Sequence, residues 1–162
     1  MPEARAGTHP PGQKTPAVAL GFDYGERRIG VACGDTVTGN AQPVGVVAAH
    51  GGRPDWTALA RHVADWAPGI LIVGVPYNMD GTLGRLTEAA RGFAAELGAR
   101  FGLGVVTVDE RLSSREAEDI LRQQRASGAR ARRIRPGDVD ATAACVLLEQ
   151  WLRGRDRAPG NE

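Results

Sequence analysis

Long apolar runs are missing from this 162-residue chain. A helical bilayer span takes about 20 consecutive apolar residues, and no segment approaches that length, so a helical membrane protein is excluded. Cysteine is scarce as well. Cys33 and Cys145 stand far apart and near no other zinc-ligand residues, which argues against a disulfide framework or a zinc module and leaves both as small core residues. The three histidines, His9, His50 and His62, show no spacing that pairs them as ligands, and no Ser/His/Asp or Cys/His nucleophile stands out. Lysine is reduced to Lys14 alone, a bias toward arginine that a GC-rich genome explains without any function. Residues 1–16 hold four prolines and lack the apolar stretch of a signal peptide, so a cytoplasmic location is expected.

Net charge is also nearly absent, at +1 from 20 basic and 19 acidic residues. That total alone gives no reason to expect a polyanionic partner. Its distribution does. From Arg122 to Arg135 there are six arginines, among them Arg130, Arg132, Arg133 and Arg135, and no acid. Such a run is either a solvated surface or a contact for a phosphate backbone.

What is present is a patterned core, with 42% hydrophobic residues. Residues 1–16 read as a disordered leader, 17–152 as one domain and 153–162 as a polar tail. Three short valine-rich runs, 17–23, 28–34 and 43–49, are separated by Gly, Asn and Asp and predict an antiparallel meander. Trp56, Leu59, Val63 and Trp66 then recur at helical spacing, Pro68-Gly69 stops the helix, and ILIVGVP at 70–76 reads as a buried strand. A second apolar stripe, Leu83, Leu86, Ala90, Phe93, Leu97 and Phe101, precedes the strand GVVTVDE at 104–110. Ser113 with Glu116 predicts a third helix to about 126, and Asp138 is placed as the cap of a fourth carrying Ala141, Ala144, Leu148 and Trp151. The three tryptophans lie on apolar helix faces and read as core. The expected fold is α/β, a five-stranded mixed sheet of meander plus βαβαβ with helices on both faces.

In open α/β sheets, ligands gather at the carboxyl ends of the strands near a switch in strand order. Asp23 ends the first strand there, Pro76 to Gly81 follow the fourth, and Asp109-Glu110 end the fifth. Tyr24 and Tyr77 fall in loops of the same edge, where a ring could meet a nucleotide. Because successive strand residues face opposite ways, only one of Asp109 and Glu110 can enter the crevice. Asp140 near the start of the last helix is a further oxygen donor. Each acid also has a plain structural role, as turn residue, solvated strand end or helix N-terminal charge. Together they suit a hard divalent cation such as Mg²⁺, which keeps positions open for water and phosphate. Asn78 offers an amide to a phosphate oxygen, or else serves its own turn. The glycines of DYGERRIGVACGD punctuate a hairpin and form neither a P-loop nor a dinucleotide fingerprint.

Five strings, LGFDYGERRIGVACGD (20–35), NAQPVGVV (40–47), IVGVPYNMDGTLG (72–84), VDERLSSREAE (108–118) and GDVDATAACVLLEQWL (137–152), resemble the YqgF family in order and across nearly the whole domain. Its members are described as Holliday junction resolvases or pre-16S ribosomal RNA nucleases. The resemblance implies a ribonuclease H-like fold, a nuclease dependent on Mg²⁺ or Mn²⁺, and acidic residues at Asp23, Glu110 and Asp140, which selects Glu110 over Asp109. It further implies that the Asn78 to Gly81 turn borders the site. Related resolvases of this fold use four acids, which makes Asp138 a candidate fourth. The implied partner is RNA or DNA, with no membrane role, and the protein acts as a monomer or homodimer. A non-catalytic nucleic-acid-binding module is the alternative of another class. The three acids speak against it, since carboxylates facing phosphate without a metal oppose binding.

Overall fold

The computed structural model describes residues 18–109, apart from Met79 and Gly81, and residues 136–157. Its strands are β1 (Val18–Asp23), β2 (Arg28–Asp35), β3 (Ala41–His50), β4 (Arg53–Pro54), β5 (Ile70–Val75) and β6 (Gly104–Asp109). Three helices, α1 (Trp56–Trp66), α2 (Arg85–Phe101) and α3 (Pro136–Arg157), complete the described elements. The sheet runs in the order β4-β3-β2-β1-β5-β6. β1 to β4 pair antiparallel as the expected meander, while β5 and β6 join β1 in parallel.

The sheet has six strands where five were expected. Gly51 and Gly52 take φ of 59° and 82°, the left-handed pair that closes a two-residue hairpin. The chain therefore folds back for one short rung, Ala49 opposite Pro54 and His50 opposite Arg53.

Local signals end the helices where the chain needs them to end. The Asp55 side chain accepts from the Ala58 amide, 3.1 Å, to cap α1. At the other end Ala67 adopts the left-handed conformation, φ 47°, and Pro68 prevents continuation. In α2 the buried residues are Thr87, Ala90, Phe93, Ala94 and Leu97. Leu83, expected on that stripe, precedes the helix and is 50% exposed, and Leu86 is 36% exposed, because the helix starts at Arg85 and its buried face is set from Thr87 onward.

Helix α3 starts at Pro136, a residue suited to the first helical position because its missing N–H would find no partner there. Asp138 is thus the third helical residue and not the cap that the spacing suggested. The helix also continues to Arg157, five residues past the expected domain boundary at 152. The expected leader 1–16 and the helix expected over 113–126 lie outside the described residues.

Two cores sit on the two faces. Under α1 and α2, Leu20, Phe22, Ile29, Val31, Leu59, Leu71, Val73, Phe93 and Leu97 form the larger one. Under α3, Ala19, Ala32 and Ile72 meet Ala144, Leu147, Leu148 and Leu152. Trp56 and Trp66 pack against the first core and Trp151 against the second, as expected. Both cysteines are free thiols, Cys33 buried and Cys145 half-buried. Burial, with Glu149 nearby, pushes the Cys145 thiol up to about 12, so it stays an uncharged packing group.

Candidate active site at the carboxyl edge of the sheet

Because β1, β5 and β6 run parallel, their carboxyl ends share one edge. The register sets Asp23 opposite Gly30 on β2 and Gly74 on β5. Gly30 in turn faces Val46, and Gly74 faces Val108. Val46, Gly30, Asp23, Gly74 and Val108 therefore make one row across the sheet, and residues in such a row point to the same side. Val108 packs in the core beneath α3, which fixes the side. Asp23 lies on the α3 face, only 9% exposed, between two residues that have no side chains.

Close approach of α3 follows from the same small residues. A Cβ added at Gly34 would come within 3.0 Å of Leu148 and Leu152, and one at Gly21 within 3.2 Å of Leu148. At Gly30 the approach is closest: a Cβ would lie 2.0 Å from the backbone carbonyl oxygen of Asp140. Glycine is required there because the helix backbone occupies the space that any side chain would fill. The first turns of α3 are thereby seated beside Asp23. The Asp140 side chain is held too, since Arg28 Nε donates to its Oδ2 at 2.6 Å.

At the end of β6, Val106 and Val108 pack on the α3 side, whereas Val105 packs with the core under α1 and α2. Asp109 shares the parity of Val105 and so belongs to the face away from Asp23. Glu110 lies outside the described residues, as do Arg130, Arg132, Arg133 and Arg135. Of the acids expected in the site, the described ones are Asp23 and Asp140, and they converge on one edge. Among the described residues no group of three or more metal-ligating side chains occurs.

The loop after β5 reaches the same edge from the side of α2. Asn78 donates from Nδ2 to the Thr82 hydroxyl at 2.9 Å, and its backbone N–H to the Thr82 carbonyl at 3.0 Å. Thr82 donates both its N–H and its hydroxyl to Asp80 Oδ1, 3.0 and 2.7 Å. The amide of Asn78 thus shapes its own loop. Thr87 fastens this loop to α2 by donating to the Pro76 carbonyl and accepting from the Gly84 N–H. An ion pair between Glu26 and Arg85 ties the β1–β2 turn to the first residue of α2. A cleft of about 270 Å³ opens here, lined by Pro76, Tyr77, Asn78, Gly84, Arg85 and Thr87.

Tyr24 does not stand at this edge as a nucleotide platform. It is 6% exposed and packs on Phe93, and its hydroxyl donates to the Gly52 carbonyl at 3.1 Å. Alternation explains the difference: one residue past Asp23, it turns to the opposite face. Tyr77 remains at the edge, partly buried, with the Arg91 guanidinium 6.0 Å from its ring centroid. Another cavity, about 340 Å³, is lined by Val18, Cys33, Asp35, Asn40, Gln42 and Trp66. It sits at the opposite end of β1 from Asp23, and Asp35 there is spent on the Val37 and Thr38 amides.

A family model described as RuvX, Holliday junction resolvase, matches residues 17–154. The chain belongs to the RuvX family. This is the YqgF family by its other name, the one that the five sequence strings resemble. Among curated RuvX relatives, the "Putative pre-16S rRNA nuclease" of Azotobacter vinelandii is 47% identical over 141 residues, covering 86% of this chain and 96% of the relative. The protein of the same name from Legionella pneumophila is 46% identical over 136 residues, covering 84% and 95%. Among solved structures, T. thermophilus RuvC in complex with a Holliday junction substrate aligns with a TM-score of 0.51 at 18% identity, covering 86% of this chain and 96% of RuvC. Fowlpox virus resolvase, in a complex with Holliday junction DNA, gives 0.52 at 11% identity, covering 85% and 97%. These likenesses show a shared ribonuclease H-like fold.

Sequence reasoning missed two residues of this edge, Gly30 and Arg28. Their signal was available in part: small residues at 30, 32 and 34 mark a strand face that something approaches closely.

Proposed function

We propose that this RuvX protein is a divalent-metal-dependent nuclease that hydrolyses phosphodiester bonds and matures the 5′ end of pre-16S ribosomal RNA in the cytoplasm. The observation that carries the reading is the seating of Asp140 on Gly30 beside the buried Asp23, in a chain 47% identical to relatives named for that RNA. The donor set fits a hard cation: Asp23 and Asp140 supply carboxylate oxygens, and the strand neighbours of Asp23 are both glycines.

Asp23 and Asp140, with Glu110 as the third acid, hold Mg²⁺ or Mn²⁺ in this proposal. Glu110 shares the sequence parity of Val106 and Val108, which supports its choice over Asp109. The bound ion contributes activation of a water and neutralisation of charge on the phosphate. The chain's own share is to fix the carboxylates at the end of β1, after β6 and on α3, and to hold the nucleic acid. The arginines from Arg130 to Arg135 are assigned to the phosphate backbone, which they position without reading sequence. Asn78 supports the wall of the site by closing its loop.

Asp23→Asn, Glu110→Gln and Asp140→Asn should each lower cleavage on the order of 10²–10³-fold, the scale of removing one preorganised electrostatic group, with the circular dichroism spectrum unchanged. Full activity in any two of them, or activity undiminished by EDTA, overturns the mechanism. A second reading, a structure-directed DNA nuclease, is favoured by the family's description as a Holliday junction resolvase. The substrates separate the two. Precursor rRNA, single strands and junction DNA compared side by side rank the cleavage rates, and a dimer is required only for symmetric junction cutting. Binding without cleavage of any of them returns the non-catalytic module.

A further inference from the structure

Asp140 is anchored to β2 twice. Its backbone carbonyl rests where a Gly30 side chain would be, and its carboxylate is gripped by Arg28 Nε, 2.6 Å, two residues earlier on the same face of the strand. The contact is directional: among the described residues Nε takes Oδ2 and none takes Oδ1. Neither side chain is deeply buried, with Arg28 44% and Asp140 24% exposed. An isolated pair of this exposure contributes little to stability. Its position is what matters. The Asp140 backbone rests on Gly30, the strand partner of Asp23, and Arg28 fixes the direction in which the Asp140 carboxylate leaves it.

We propose that Arg28 is a positioning residue for the acidic site: by holding Oδ2 of Asp140 it presents Oδ1 beside Asp23, and so raises the affinity of the site for a divalent cation. This rests on the metal-dependent reading above. Outer partners of metal-ligating carboxylates act in this manner elsewhere, and their loss costs roughly 10–100-fold in metal affinity. Arginine suits the task because its planar guanidinium offers Nε–H along a fixed direction, which lysine does not reproduce.

The test is a calorimetric titration of Mn²⁺ into wild type, Arg28→Ala, Arg28→Lys and Asp23→Asn, with the Mn²⁺ electron paramagnetic resonance signal as an independent count of free ion. Arg28→Ala is expected to weaken Mn²⁺ binding about 10–100-fold, with a melting temperature in EDTA close to wild type. Arg28→Lys should recover only part of the affinity. Arg28→Gln replaces the alanine variant if that one fails to fold. Equal affinity in wild type and Arg28→Ala makes the pair a surface contact and overturns the proposal; tighter binding in Arg28→Ala also overturns it, since Arg28 would then compete with the ion. If wild type binds no Mn²⁺, or Asp23→Asn binds as well as wild type, the metal site itself is wrong, and the Arg28 proposal falls with it.

Discussion

On one face of the sheet Leu20, Phe22, Ile29 and Val31 meet Leu59, Phe93 and Leu97 from α1 and α2. Phe93 alone is edge-on to Phe22 at 5.9 Å and tilted against Tyr24 at 5.1 Å and Trp56 at 5.8 Å. On the other face, Ala19, Gly21, Gly30, Ala32 and Gly34 lie beneath α3. The first face fills its space with large side chains. The second removes them from β1 and β2, and the helix backbone descends far enough to set Asp140 against β2. Bulk on one side stabilises the sheet; the small residues of β1 and β2 on the other let α3 come close to the strands.

If the division is real, substitutions on the two faces should separate stability from cleavage. Phe93→Ala is expected to give the largest loss of stability, about 3–5 kcal/mol, with cleavage per folded molecule unchanged. A comparable loss of cleavage per folded molecule would show that the two faces are coupled. Gly30→Ala comes next. Its methyl would meet the Asp140 carbonyl, so α3 must lift, costing about 1–3 kcal/mol as overpacking does and most of the cleavage. Gly34→Ala meets only the flexible ends of Leu148 and Leu152 and should cost less of both. Equal effects at 30 and 34 would break the argument from close approach.

Replacing Arg130, Arg132, Arg133 and Arg135 with alanine should leave the melting temperature alone. It should reduce the slope of log affinity against log salt by about 0.7–0.9 for each phosphate that is no longer neutralised. An unchanged slope assigns that segment to solvent.

The smallest expected effect is on His62 of α1. Burial holds its pKa below 6.5, with Arg61 adding to the shift and Asp65 opposing it. Since the folded pKa is depressed, the unfolded chain binds the proton more readily. The contribution of His62 is complete above pH 6.5 and is lost as pH falls below it. The melting temperature of wild type relative to His62→Gln should therefore fall between pH 7 and 5, and a parallel pair of curves would refute the shift.

Much of the fold was legible in the sequence. Strand and helix positions followed from runs such as ILIVGV, from the spacing of Trp56, Leu59, Val63 and Trp66 and from Pro68-Gly69, because alternation, periodicity and termination act over a few residues. The limits appear where the deciding contact is remote. Nothing near Arg28 in the chain announces Asp140, which lies 112 residues away. Leu83 looked like helix stripe because spacing cannot tell where a helix begins. Tyr24 looked like a loop residue at the crevice, yet Phe93, supplied by α2, draws its ring into the core.

The sequence by itself determined the meander, the βαβ units and the edge on which Asp23 falls, since each depends on local periodicity and on the direction in which a strand ends. It also determined, through the resemblance of five ordered strings, the family. Only the tertiary structure decided that Asp23 lies between Gly30 and Gly74, that α3 rests its backbone on Gly30, and that Arg28 holds Asp140. Those facts depend on register and on the separation of helix from sheet, quantities that arise when distant segments pack and that no stretch of chain encodes alone.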